Sequence, residues 1–242
     1  MLRLFHISDP HFGMEDTRAL DAVARAVADE RPHGVIITGD FTMRARAREF
    51  AAAARWIATL DAPVAIDPGN HDLPYFNPVE RFADPYRRFR ALEAAIARPF
   101  ASDQVALVRL ETTAAAQWRL NWSRGTVGAR VLARALSTID AVPINRPVIV
   151  TCHHPLVETG TRGHAWTRGG DGALAALAAR GVLAVLSGHV HDPFDLAQPT
   201  PAGAVRMIGA GTLSQRLRAG PPSFNDLTLD RGRLTCRVRL LG

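Results

Sequence analysis

Leu2-Arg3-Leu4-Phe5-His6-Ile7-Ser8-Asp9-Pro10-His11 opens the chain, and Val35-Ile36-Ile37-Thr38-Gly39-Asp40 repeats its grammar. In each, an apolar run of strand length stops at a turn and delivers a carboxylate. Between them, residues 16–30 set Leu20, Val23 and Val27 at helical spacing before the breaker Pro32. Residues 44–60 do the same with Phe50, Ala54, Ile57 and Leu60, and residues 64–66 form a third apolar run ending at Pro68-Gly69. The pattern predicts a β-α-β-α-β series. A strand at 147–151, an alanine-rich helix at 172–180 and a strand at 182–186 extend it, which predicts a mostly parallel sheet with helices on its faces. Short strands at 205–209, 224–229 and 234–240, separated by Pro/Gly and Asp-Arg-Gly turns, predict an antiparallel end to a second sheet.

The chain has 242 residues, a length that suits one α/β domain spanning 1–242, with a helical insert at 73–103. Hydrophobic residues make up 47% and charged residues 21%, ordinary globular usage that excludes a low-complexity or fibrous chain. The net charge of +6 raises the question of nucleic acid. All 29 basic residues are arginine, however, and they are scattered rather than gathered into a binding motif. Two cysteines are too few for a disulfide framework. There is neither a secretory leader before residue 9 nor an apolar run of membrane-spanning length, so a cytoplasmic location without membrane attachment is expected.

Five blocks carry the chemistry: Asp9-Pro10-His11, Gly39-Asp40, Gly69-Asn70-His71-Asp72, His153-His154-Pro155 and Gly188-His189-Val190-His191. Each follows a predicted strand, where open α/β sheets place their ligands. Two carboxylates, one amide and four imidazoles form a donor set for divalent ions of intermediate hardness. A strand continuing through Asp9 and His11 would put both on one face. The same alternation pairs His153 with Thr151 and His154 with Cys152, which selects His153 as the donor.

In order and composition these blocks resemble the calcineurin-like metallophosphoesterase superfamily, over roughly residues 4–192, and most closely its bacterial class III cyclic-nucleotide phosphodiesterase branch. The resemblance implies a four-layer α/β/β/α sandwich with mixed sheets, and two divalent or iron-type ions (Mn, Fe or Zn) at the strand ends. It assigns Asp9, His11, Asp40 and His191 to one ion, and Asp40, Asn70, His153 and His189 to the other, with Asp40 as the bridge. The implied reaction is hydroxide attack on a small anionic phosphate ester, a diester in the first instance. His71 is then the candidate acid for the leaving group, with Asp72 to orient it. His154, Asn121 and Arg44 are candidate substrate contacts.

Alternatives stay open. A nuclease or phosphomonoesterase of the same superfamily would use the same donors, and a non-catalytic interaction module could use the same fold. The protein Ser/Thr phosphatase pattern Gly-Asp-x-Val-Asp-Arg-Gly is not met, since the chain reads Gly39-Asp40-Phe41-Thr42-Met43-Arg44. In the insert, Phe82, Tyr86 and Phe89 fall at the spacing of a buried helical stripe, against the alternative of a base-gripping aromatic surface.

Overall fold

The computed structural model describes residues 1–114 and 123–241. The opening run forms β1 (Leu2–Ile7), and its alternation sorts the side chains: Phe5 and Ile7 face one hydrophobic layer, Leu2 and Leu4 another. There follow α1 (Thr17–Glu30), β2 (Gly34–Thr38), α2 (Ala47–Thr59) and β3 (Val64–Asp67). Parallel pairing of β1 with β2 and of β2 with β3 realises the predicted series. Asp16 caps α1 by accepting from the Ala19 N–H at 3.1 Å. Trp56 on α2 reaches back to the Leu20 carbonyl, which locks the two helices together on the same face of the sheet.

After α3 (Pro78–Ala83) and α4 (Arg87–Ala94), the second half runs β4 (Ala106–Arg109), α5 (Ala129–Asp140), β5 (Val148–Thr151), α6 (Gly170–Ala178), β6 (Ala184–Ser187), β7 (Phe194–Thr200) and β8 (Gly203–Gly209). The chain ends with β9 (Ser223–Asp230) and β10 (Arg233–Leu240). Two five-stranded mixed sheets result, with orders β10-β9-β1-β2-β3 and β4-β5-β6-β8-β7. One apolar cluster lies between the first sheet and α1, α2 and α4; a second lies between the other sheet and α5 and α6. The third, with Leu4, Ile36, Leu227, Ile149, Leu186 and Ile208, fills the space between the sheets. This is the expected four-layer α/β/β/α sandwich.

Two expectations are corrected, and two strands are new. Of the tail strands, only β8 belongs to the second sheet; β9 and β10 complete the first, where β9 runs antiparallel to β1. Turn chemistry reveals a hairpin, here closed by Arg231 and Gly232 with φ of 48° and 79°, but not which sheet edge receives it. β4 and β7 had no clear sequence signal; β7 is an edge strand that alternates only between half-buried and exposed positions. In the insert, Asp84 and Pro85 end α3, so the helical stripe is interrupted. Phe89 is buried, whereas Phe82 is 64% exposed.

Candidate metal centre

The seven expected donors sit on the loops that leave β1, β2, β3, β5 and β6, at one edge of the sandwich. Backbone bonds zip these loops together: Asp9 N–H to Gly39 O, His11 N–H to Asp40 O, and Gly188 N–H to His153 O, at 2.9–3.1 Å. Close approach explains two glycines. A Cβ on Gly69 would strike the Asp40 backbone nitrogen, and one on Gly188 would strike the Ser8 hydroxyl and the Asp9 carboxylate.

Asp9 and His11 do not share a strand face as expected, because β1 stops at Ile7. Asp9, His11, Asp40, His189 and His191 instead adopt left-handed backbone with φ between 45° and 69°. These are five of the eight non-glycine residues in that region among the described residues. Each such residue costs about 1–3 kcal/mol. Burying one large aliphatic or aromatic side chain returns about 1.5–3 kcal/mol, so the three cores readily hold this strain. Its concentration at one point marks a functional site.

The donor atoms converge. In one half, His11 Nε2 lies 3.1 Å from His191 Nε2 and 3.5 Å from Asp9 Oδ1, and His191 Nε2 lies 3.2 Å from the same oxygen. In the other, His153 Nε2 is 3.1 Å from Asn70 Oδ1 and 3.3 Å from Asp40 Oδ2. Asp40 Oδ2 also lies 3.7 Å from His11 Nε2, between the halves. Among the described residues four groupings of His and Asp each have donor atoms within 4.8 Å of one another: Asp9-His11-His191, Asp9-Asp40-His153, His11-Asp40-His71 and His153-His154-His189.

Second contacts aim the rings. His153 Nδ1 donates to Thr38 O and His191 Nδ1 to Arg216 O, both at 2.7 Å, which turns each Nε2 inward. Arg216 Nη1 donates to His11 Nε2 at 3.3 Å, so this nitrogen presents its lone pair. His11 Nε2 and His191 Nε2 therefore face each other and Asp9 Oδ1, a buried oxygen with no hydrogen-bond partner among the described residues. A cation suits that arrangement of converging donor atoms.

The electrostatics agree. Burial pushes the Asp9 carboxyl up, but His191 and His11 beside it hold it well below the usual carboxylate range. Asp40 is likewise lifted by burial and pulled down more strongly by His153 and His71, so it is ionised. Burial lowers His153, yet Asp40 and Asp9 bring it up to about 10. His189 falls to about 3 through burial and the neighbouring His153. Asp9 and Asp40 are therefore charged, and His153 is the positive group beside them.

The remaining expectations divide. His71 faces the cleft: its Nδ1 donates to Met43 O at 2.7 Å, and its Nε2 accepts from Arg216 Nη1 at 3.1 Å. Asp72 does not orient it. The Asp72 carboxylate accepts from the backbone N–H groups of Phe41, Thr42 and Gly69 and from the Thr42 hydroxyl, tying the Asp40 loop to the Asn70 loop. Burial first, and Asp40 second, push its carboxyl up to about 7. His154 is buried beneath His189, their ring centroids 4.4 Å apart, with Nδ1 on the Thr112 hydroxyl and Nε2 on Ser123 O. It packs against the cluster and does not line the cleft. Arg44 lines a separate depression with Tyr75 and Phe76 rather than the cleft, because the loop after Met43 turns away to let Glu49 bind the Arg44 and Arg46 N–H groups. Asn121 lies outside the described residues.

The cleft over the donors is lined by Asp40, Asn70, His71, His189 and His191, and also by Ser123, Arg124, His164, Arg216 and Arg218. His164, Arg216 and Arg218 were not anticipated. The one sequence signal of the two arginines is the alternation Arg216-Leu217-Arg218 ahead of Gly220-Pro221-Pro222.

Residues 2–193 match the calcineurin-like phosphoesterase family. The chain belongs to that family. No curated protein matches its sequence closely enough to add a relative. Among solved structures, a dimetal phosphatase from Danio rerio has a TM-score of 0.70 at 14% identity, over 100% of this chain and 96% of that one. Purple acid phosphatase PPD1 from yellow lupin (Lupinus luteus) seeds has a TM-score of 0.70 at 12% identity, over 99% of this chain and 51% of that one. GAP50, the anchor in the inner membrane complex of Plasmodium, has a TM-score of 0.63 at 12% identity, over 98% of this chain and 84% of that one. At these identities the likeness is one of fold. The family and the clustered donors make this phosphoesterase a metal-dependent hydrolase. No helix of the described residues is long and apolar enough to cross a membrane.

Proposed function

We propose that this phosphoesterase hydrolyses small phosphodiesters, of which cyclic nucleotides are one class, at a dinuclear centre held by Asp9, His11, Asp40 and His191 on one side and Asp40, Asn70, His153 and His189 on the other. The supporting observation is the convergence of these donors beneath a polar cleft into which His71 points. Two ions bound there supply Lewis acidity and a water acidified for in-line attack. The chain's own groups do the rest. Thr38 O and Arg216 O keep two imidazoles facing inward, and the Asp72 carboxylate holds the Asp40 and Asn70 loops in register.

His71 completes the reaction. With Nδ1–H fixed on Met43 O, Nε2 is the nitrogen that faces the cleft, and it carries the proton once Arg216 no longer donates to it. As the bond from phosphorus to the leaving oxygen breaks, that proton passes to the departing alkoxide. Two divalent ions against the Asp9 and Asp40 carboxylates would leave the centre positive, which suits an anionic ester. Two free cysteines, Cys152 buried and Cys236 half-buried, fit the reducing cytoplasm that we assign to it.

Metal analysis of protein purified without chelator, combined with rates on bis(p-nitrophenyl) phosphate and p-nitrophenyl phosphate, tests this reading. Two ions per chain and faster diester cleavage are expected. Faster monoester cleavage would make it a phosphomonoesterase, and a metal-loaded protein inert toward both would make it an interaction module.

A further inference from the structure

We propose that Arg216 and Arg218 form a subsite for a second anionic group, a phosphate or carboxylate carried by the substrate beyond its scissile phosphate. The inference rests on the diester reading above and narrows its substrate class.

The segment that carries the two arginines is built onto the donor loops. Thr212 donates its hydroxyl to Asp9 O at 2.8 Å and shares a 2.7 Å bond with Ser214 Oγ, which accepts from Arg216 N–H. Beyond it, Arg216 O receives His191 Nδ1–H, and Ala219 N–H donates to Asp192, the residue that follows His191. Leu213 is fully buried and its carbonyl accepts from Asp16 N–H. A loop fixed at both flanks presents its side chains at a set distance from the centre, as a recognition element requires.

The charges in this cleft are one-sided. Among its described lining residues the only carboxylate is Asp40, which the centre uses, whereas Arg216 and Arg218 both line it. Elsewhere arginines meet carboxylates: Arg3 with Asp226, Arg88 with Glu80, Arg109 with Asp67 and Arg206 with Asp195. Arg216 instead rests on His71 Nε2, His11 Nε2 and, at 3.9 Å, Met43 Sδ. These are neutral acceptors, and they leave the planar fork of a guanidinium without the bidentate anion that it matches. The reading above also commits His11 Nε2 to an ion. Arg216 then needs another partner, and an anion in the cleft supplies one.

The direction follows from His71. Arg216 touches the imidazole that faces the departing oxygen, so the second anionic group lies on the leaving-group side, with Arg218 further along the same loop. A singly charged diester offers nothing there. One whose leaving group bears a phosphate or carboxylate fills it.

The test uses the metal-loaded protein and three analogues whose carbon–phosphorus bond resists hydrolysis: methyl phenylphosphonate and its 3-carboxy and 3-phosphono derivatives. Calorimetric binding should favour the charged derivatives by about tenfold or more, the scale of one charge-assisted bond. Arg218→Gln and Arg216→Gln should each reduce that preference to about twofold or less with metal content unchanged. The tighter of the two charged derivatives identifies the group as carboxylate or phosphate. Equal affinity of all three for the wild type, or a preference that survives both substitutions, would overturn the subsite. If the preference holds but bis(p-nitrophenyl) phosphate is not cleaved, the diester reading falls and the subsite stands.

Discussion

The two halves of the metal centre are built on opposite plans. In the half formed by Asp9, His11 and His191, all three residues have left-handed backbone, and Asp9 Oδ1 and His11 Nδ1 lack any hydrogen-bond partner. In the half formed by Asn70, His153 and His189, polar atoms answer one another: His153 meets both Asn70 and Asp40, and its ring lies 5.2 Å from that of His189. In the first half an ion meets an unpartnered oxygen and displaces the Arg216 contact with His11 Nε2. The second half stays satisfied without one, so an incoming ion must replace existing contacts. The lesson is that equal donor counts do not mean equal affinity, since what each donor gives up also matters.

The largest expected effect joins the halves. Asp40→Asn should reduce bound metal from two ions to fewer than one per chain and slow turnover by about a thousandfold or more, read by elemental analysis and single-turnover rates. One ion retained at full occupancy would show the halves to be independent. Next comes His71→Ala, which should keep both ions while slowing esters of poor leaving groups by about a hundredfold or more, and p-nitrophenyl esters much less. An equal loss for every leaving group would remove the proton-transfer role.

A smaller effect addresses the comparison directly. Graded chelation should remove two ions in separate steps, the half at Asn70 and His153 emptying at about tenfold lower chelator strength, and Asn70→Ala should abolish that early step alone. Simultaneous release would erase the distinction drawn between the halves. The smallest effect is on stability: Asp72→Asn should cost the metal-free protein about 1–3 kcal/mol by uncoupling the Asp40 and Asn70 loops, measured by denaturant unfolding. An unchanged midpoint would mean that the loops hold without it.

How far this could be read from sequence depends on the range of the forces involved. Donors such as Asp40 and His153 are local: an apolar run, a turn and a polar residue lie within six positions, so strand ends and ligands are legible together. Asp9 and His11 were found with the wrong geometry, because left-handed backbone at non-glycine residues is imposed by neighbouring loops and leaves no mark in composition. Asp72 was expected to serve the residue beside it, His71, whereas its partners Phe41 and Thr42 lie some 30 positions earlier. Arg216 and Arg218 were missed for a related reason. They reach the cleft only because the chain crosses from β8 in one sheet to β9 in the other, and that choice of edge is decided by packing of Phe224, Leu227 and Leu229.

That crossover also sets an order of assembly. β1 emerges first, yet one of its edges stays unpaired until Ser223–Asp230 arrives, with Leu2 meeting Leu229 and His6 meeting Asn225. A nascent chain that has reached residue 193 has every donor in hand but lacks this neighbour and the arginine loop ahead of it. Closure over so long a separation is slow, and an open apolar edge invites pairing with other chains meanwhile. The catalytic edge is therefore finished late, after the parts that define the family are already made.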